Sequence, residues 1–349
     1  MSETVERLER DVPALLDETR VPCVSIAVIA DAKLAWAGVF EREAHGRYAP
    51  ATINTVFEAA SISKPVFAYL ALLLCQDGLL DLDTPLCRYV TEPLPTDDPL
   101  ADSVTARHVL SHTTGFPNWR TPARPLKCYF RPGIRFSYSG EGYVYLQRAV
   151  EAVTGMGLQD LAERRLFSPA GMNRSSYVWP APDGRVGIER YFDNSGNAVA
   201  KKPSPSANAA HSLHSTPSDI ARFMCAVMSP RHASRGLLSA AWMDRMLTPQ
   251  VHVSDLNSSD ADWPDPAAPV DPKLSWGLGW GIEHTDHGDN FWQWGSDGTV
   301  KALAVGCAQR GSGMVIMTNH GAGASVWRPL LGMAFEGPHP GLDWLDRVY

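Results

Sequence analysis

Val5, Leu8, Val12, Leu15 and Leu16 recur at helical spacing and predict an amphipathic helix over residues 3–18, with Pro13 as its weak point. Residues 23–29 are rich in β-formers, Asp31-Ala32-Lys33 reads as a turn, and residues 34–40 return, which predicts a hairpin. Residues 41–56 read as loop with a short strand. Residues 66–76 are apolar all round, so they predict a buried central helix, with Pro65 near its start and Gly78 at its end. Residues 81–135, rich in Pro, Gly and Thr, predict only short helices. One covers 105–110 and stops at Ser111-His112-Thr113-Thr114-Gly115. Helices over 139–153 and 158–166 are closed by Gly155 and Gly171, and 175–210 is irregular. Ser215-Thr216-Pro217-Ser218-Asp219 is a helix start opening 220–228, and Ser239 caps a helix over 240–247. Residues 250–272, rich in Asp, Pro and Ser, read as a surface loop. The period then changes to that of strands, over 276–282, 290–294, 300–307 and 313–318, before a closing helix over 326–335.

Strands at both ends with helices between them predict an α+β fold, an antiparallel sheet flanked by helices with an inserted, mostly helical domain. On this reading residues 1–60 and 216–349 form the sheet domain and 61–215 the helical one, with the active site between them. At 349 residues the chain is too long for one simple core. A net charge of −7 without a Lys/Arg run argues against a nucleic-acid or anionic-membrane surface. The charged start, Met1 to Arg10, lacks an apolar signal core, and no apolar run reaches membrane-spanning length. Six scattered cysteines without a C-x-x-C read as reduced thiols, so a cytoplasmic location is the expectation.

Three stretches carry candidate chemistry. Ser61 and Lys64 stand three apart where the long apolar run begins. On one face of a first helical turn they would place a hydroxyl beside a possible base, at the positive end of the helix dipole. The alternative is an exposed helix start. Tyr138, in a Ser/Gly-flanked loop before a helix, would act as acid or base if a neighbouring ammonium lowered its pKa, and otherwise is a half-buried loop tyrosine. Trp292-Gln293-Trp294-Gly295-Ser296-Asp297-Gly298-Thr299 offers glycines that permit close backbone approach, or a plain hairpin turn.

In order and spacing these stretches resemble the three motifs of the serine β-lactamase/penicillin-binding-protein superfamily, in its class C β-lactamase-like branch. The S-x-x-K motif falls on Ser61 and Lys64, the Y-x-N-like motif on Tyr138-Ser139-Gly140, and the K/H-x-G motif on Gln293-Trp294-Gly295. The stretch from Leu110 to Pro117 is similar to an L-S-H-T-S-G-L-P loop. That from Ser215 to Phe223 is similar to an S-T-x-x-D-x-A-R-F helix, and that from Trp276 to Trp280 to a Y-G-L-G-W strand. Together they span about residues 20–320.

The resemblance implies a β-lactamase/transpeptidase-like fold and an acyl-enzyme on Ser61. Lys64 and Tyr138 would relay the proton, and the backbone N–H groups of Ser61 and Ser296 would form the oxyanion hole. It calls for no metal or cofactor. Its substrate is a small-molecule ester or amide, with a possible acyl acceptor. Gly140, Gln293, Trp294 and Gly295 would line the substrate. Two departures stand out: Gly140 replaces the motif Asn, and Gln293 replaces a Lys or His that helps hold a substrate carboxylate. Gln carries no charge, which weakens the reading as a potent β-lactamase or carboxypeptidase. A carboxylesterase on a small or medium acyl ester is the leading expectation. An acyltransferase comes next, and a D-amino-acid peptidase, amidase or weak β-lactamase third. His284-Thr285-Asp286-His287-Gly288-Asp289 reads as an exposed turn more readily than a metal cluster, and His112 as structural. Trp276 and Trp280 read as core, Trp294 as core or as the wall of an acyl pocket. The stretch 119–132 reads as a lid or as surface loop.

Overall fold

The computed structural model describes residues 2–42, 50–181, 187–188, 190–201, 203–228, 237–254 and 270–348. In chain order α1 (Ser2–Thr19) precedes the hairpin β1 (Cys23–Ala30) and β2 (Lys33–Glu41), then β3 (Phe57–Ala60) and α2 (Ser63–Gln76). The middle holds α3 (Ala106–Leu110), α4 (Gly140–Thr154), α5 (Leu158–Ala162) and α6 (Ser168–Ala170). After these come the short strands β4 (Tyr191–Phe192), β5 (Ala198–Val199) and β6 (Leu213–Ser215). Then come α7 (Pro217–Met228), α8 (Ala240–Leu247), β7 (Val251–Ser254), β8 (Val270–Trp276), β9 (Gly281–Glu283), β10 (Asn290–Asp297), β11 (Val300–Cys307) and β12 (Ser312–Thr318). The chain closes with α9 (Trp327–Ala334) and α10 (Pro340–Val348).

One antiparallel sheet of eight strands, ordered β2-β1-β12-β11-β10-β9-β8-β7, joins the two ends of the chain. Its strands alternate their side chains between two cores, as a period of two requires. In β1, Cys23, Ala27 and Ile29 enter the layer shared with α2, α4 and α7. Val24, Ile26 and Val28 enter the layer shared with α1, α9 and α10. The antiparallel sheet with its helices is the expected α+β fold.

The structure differs from the pattern reading at three places. The loop expected over 250–272 contains β7 and the start of β8, a pair whose polar side chains hid the alternation, while 255–269 lie outside the described residues. The single strand expected over 276–282 is broken at 277–280 by a turn, with Trp276 ending β8 and Gly281 opening β9. There Gly277 N–H donates to Trp280 O at 2.8 Å and Gly279 takes φ +104°. Helix α10, beyond Pro340, went unpredicted although Leu342, Trp344 and Leu345 are buried by it.

α2 organises the molecule. Every residue from Ser63 to Cys75 is buried, and Lys64 is the one charged side chain among them. Gly78, in the left-handed region at φ +74°, ends the helix. A helix apolar on all sides has no solvent face, so it is fixed on every side and makes a rigid base for a site at its start.

Candidate active site

The chain enters α2 through a strained turn. Ala60, the last residue of β3, adopts φ +44°, a conformation that a residue with a Cβ seldom takes. Ser61 follows, two residues ahead of the first residue of α2, so it precedes the helix rather than standing in its first turn. Lys64 N–H donates to Ser61 O at 3.1 Å, and this turn sets the two side chains together. Ser63 anchors it. Its Oγ donates to Ala60 O at 2.5 Å and accepts from Leu213 N–H at 2.9 Å, and its carbonyl accepts from Tyr177 OH at 2.9 Å. Lys64 Nζ lies 3.1 Å from Ser61 Oγ and donates to Ala210 O at 2.8 Å. The lysine is 1% exposed, and burial pulls its pKa from 10.5 down to about 7. An amine that loses its proton near neutral pH, in hydrogen-bond reach of a serine, is chemically fit to take the hydroxyl proton.

Tyr138 stands two residues before α4. Ser139, the N-cap, accepts from Gly142 N–H at 3.1 Å and donates to Pro117 O at 2.8 Å. Lys64 Nζ lies over the Tyr138 ring, 4.7 Å from its centroid. Behind the tyrosine, His112 stacks on it with ring centroids 4.2 Å apart and accepts from Ser139 N–H through Nδ1 at 3.0 Å. Burial, reinforced by Lys64, holds the His112 pKa well below 6.5, so the imidazole is a neutral wedge that sets the tyrosine ring.

Gln293 departs from the expectation that it lines the substrate. It is 0% exposed and sits behind Tyr138, where its Nε2 donates to Tyr138 OH at 3.1 Å and to Trp294 O at 2.8 Å. Both faces of β10 are buried as far as Gly295, so the Gln293 side chain is enclosed although it points opposite to Trp292 and Trp294. Gln293 therefore positions the tyrosine. Trp294, the residue left open between core and wall, is 3% exposed and packs on Tyr138 at 4.9 Å, Trp292 at 5.5 Å and Trp344 at 5.6 Å. It is core, with an edge reaching the cleft. Gly295 acts through its lack of a side chain, because a Cβ there would collide with the Ala59 carbonyl. That absence lets β10 run against β3 and brings Ser296 to the cleft that holds Ser61. Ser296 Oγ accepts from Lys301 Nζ at 2.6 Å.

These elements surround a cleft of about 530 Å³ containing Ser61, Lys64, Tyr138, Trp294 and Ser296. Its wall also includes Glu58, Asn118, Trp119, His211 and Asp297. Lys201 bridges the two acids, 2.7 Å from Glu58 and 3.0 Å from Asp297. Sequence reasoning placed Trp119 in a possible lid but missed Asn118, His211, Glu58 and Asp297. The signal available for Asn118 and Trp119 was that they directly follow the loop ending at Pro117. Glu58 and His211 carry no local motif. A second cavity of about 780 Å³ shares Trp294 and Ser296 with the cleft and is lined further by Trp327, Pro329, Leu342 and Leu345. The His284–Asp289 stretch forms the turn between β9 and β10, with His284 Nδ1 and Asp289 paired at 3.0 Å.

An antiparallel sheet crossed by a buried helix, with a serine and a desolvated lysine at that helix's start, defines a β-lactamase/transpeptidase-like protein. The chain belongs to the beta-lactamase family, whose described pattern it matches over residues 7–329. It is 32% identical over 147 residues to penicillin-binding protein 4* of Bacillus subtilis, which covers 36% of this chain and 31% of that protein. It is 31% identical over 180 residues to esterase EstB of Burkholderia gladioli, covering 42% of this chain and 44% of the esterase. The matches thus span less than half the length of these curated relatives. Among solved structures, a class C β-lactamase superposes with a TM-score of 0.74 at 19% identity, over 97% of this chain and 99% of that one, a likeness of fold.

Proposed function

We propose that this protein is a serine hydrolase working through an acyl-enzyme on Ser61, and that its substrates are carboxylic esters with a small or medium acyl group. The observation that carries the reading is Lys64, buried, with a pKa near 7 and its Nζ 3.1 Å from Ser61 Oγ. Ser61 Oγ attacks the ester carbonyl as its proton passes to Lys64 or Tyr138. The backbone N–H groups of Ser61 and Ser296 hold the carbonyl oxygen as it becomes an oxyanion. The proton then reaches the departing alkoxide, and water releases the acid by the reverse path. Esters are favoured over β-lactams and peptide C-termini because Gln293, buried behind Tyr138, brings no positive charge. The similarity to esterase EstB supports the same choice.

Acyl transfer is the second reading, favoured by the cavity that meets the cleft at Trp294 and Ser296, where an acyl acceptor would have room. Hydrolysis of a p-nitrophenyl ester series, run with and without added alcohols and amines, separates the two. Ser61→Ala is expected to lower ester turnover roughly 10⁴-fold or more. Undiminished turnover in that variant would refute the reading. Faster breakdown of a chromogenic cephalosporin than of any ester would move the assignment to a β-lactamase.

A further inference from the structure

Gly140 stands where the resembling motif has Asn, and the space this frees is filled. The Trp119 indole lies over Gly140, so that a Cβ at position 140 would be 2.6 Å from both Cη2 and Cζ2 of the ring. Trp119 is 41% exposed, and that exposed ring forms part of the cleft containing Ser61. An indole standing open in a cleft offers a face on which a planar group can stack.

The ring is also held from both sides. Asn118, before it, accepts from Gly140 N–H at 3.0 Å through Oδ1 as well as through its carbonyl, and that carbonyl accepts from Glu141 N–H at 3.1 Å. Arg120, after it, donates to the largely buried Glu141 carboxylate from its backbone N–H and Nε, each at 2.9 Å, and pairs with it at 2.7 Å. The His211 imidazole meets the indole edge to face, with centroids 5.7 Å apart. An aromatic surface whose neighbours on both sides are tied to the start of α4 is ordered before any ligand arrives, which lowers the entropy cost of stacking a planar group on it.

We propose that Trp119, seated over Gly140, is the acyl-group subsite of this cleft and selects esters whose acyl group carries an aromatic ring. The inference rests on the serine-hydrolase reading and names its substrate class. Asn118 and Arg120 are positioning residues, and Gly140 is the opening that admits the indole.

The test compares kcat/KM for vinyl benzoate and vinyl acetate in the unaltered protein, Trp119→Ala, Gly140→Ala and the double variant. The two substrates share a small leaving group, so the ratio reports the acyl side alone. Trp119→Ala is expected to reduce the benzoate-to-acetate ratio about tenfold. Gly140→Ala, at a helix position that accepts alanine, pushes the ring aside and reduces the ratio in the same direction. The double variant falls no further than Trp119→Ala, because both changes remove one interaction. A ratio unchanged in Trp119→Ala, in a protein that hydrolyses both esters, overturns the subsite. Additive losses in the double variant overturn the link between Gly140 and the ring. Where turnover is slow, rates of Ser61 labelling by benzyl and methyl phosphonates supply the same ratio. If neither ester is cleaved and no phosphonate labels Ser61, the hydrolase reading itself has failed, a result distinct from an unchanged ratio.

Discussion

The two walls of the cleft are built by different means. On the α2 wall the reactive groups are fixed by burial: Ser63 is tied to Ala60 and Leu213, and Lys64 is enclosed and bound to Ala210. Any side chain other than lysine there would change the proton chemistry, and any shift of the helix would disturb a core packed on all sides. On the β10 and α4 wall the cleft is shaped by residues whose roles depend on what is missing. Gly295 admits β3, Gly140 admits Trp119, and Gln293 supplies a neutral donor to Tyr138 where a cation would alter its charge. The lesson is that the nucleophile side has one workable arrangement, whereas on the opposite side, Gly295 apart, the side chains at positions such as 119, 140 and 293 can be exchanged with less disturbance of the core. Substrate choice belongs to the second wall.

The sharpest break in that contrast comes from Lys64→Met. Turnover is expected to fall about 10³-fold, the scale of a lost general base. Stability moves the other way. In the unfolded chain Lys64 holds its proton up to about 10.5, but in the folded protein only up to about 7. Between those values the unfolded chain binds the extra proton, so the unaltered protein loses stability as pH falls through this window and carries the full penalty below about 7. Methionine has no such penalty. Urea unfolding at pH 7 and pH 10 is therefore expected to show the variant gaining on the unaltered protein toward pH 7. A gap independent of pH would show that Lys64 is not desolvated. In the unaltered protein kcat/KM is expected to rise with pH through about 7 as Lys64 becomes neutral.

Gly295→Ala strikes the second wall through backbone alone. The added Cβ meets the Ala59 carbonyl, so β10 must move from β3 and Ser296 from Ser61. Loss of activity by about 10²-fold, the cost of one oxyanion donor, with a modest drop in Tm is the expectation. Unchanged kcat would mean that Ser296 is not part of the oxyanion hole. The smallest effect belongs to Gln293→Lys, which places an ammonium against Tyr138 OH. Cleavage of a chromogenic cephalosporin relative to an ester is expected to rise about tenfold or less. No change in that ratio would remove Gln293 as a cause of ester preference.

Legibility in the sequence follows the same division. The apolar run behind Lys64 announced α2, and three-residue spacing announced its partnership with Ser61, because both are local and periodic. β11 and β12 were equally plain as short, nearly continuous apolar runs. Gln293 was misplaced because the motif gives its order along the strand but not the direction in which its side chain points. Trp294 was ambiguous for the same reason, since burial against Trp292 and Trp344 depends on α10, which the pattern did not reveal. Glu58 and His211 entered the cleft through tertiary packing alone. Gly140 could be seen as a loss from the motif, but its filling by Trp119 required the folded loop.

The most direct test is intact-mass analysis after reaction with an activated phosphonate ester, followed by peptide mapping, across pH 5.5 to 8.5. One adduct per chain on Ser61 is expected, absent in Ser61→Ala, with a labelling rate that rises through about pH 7 as Lys64 gives up its proton. Labelling at another residue, or a rate on Ser61 that does not respond to pH across that interval, would contradict a serine activated by a desolvated lysine.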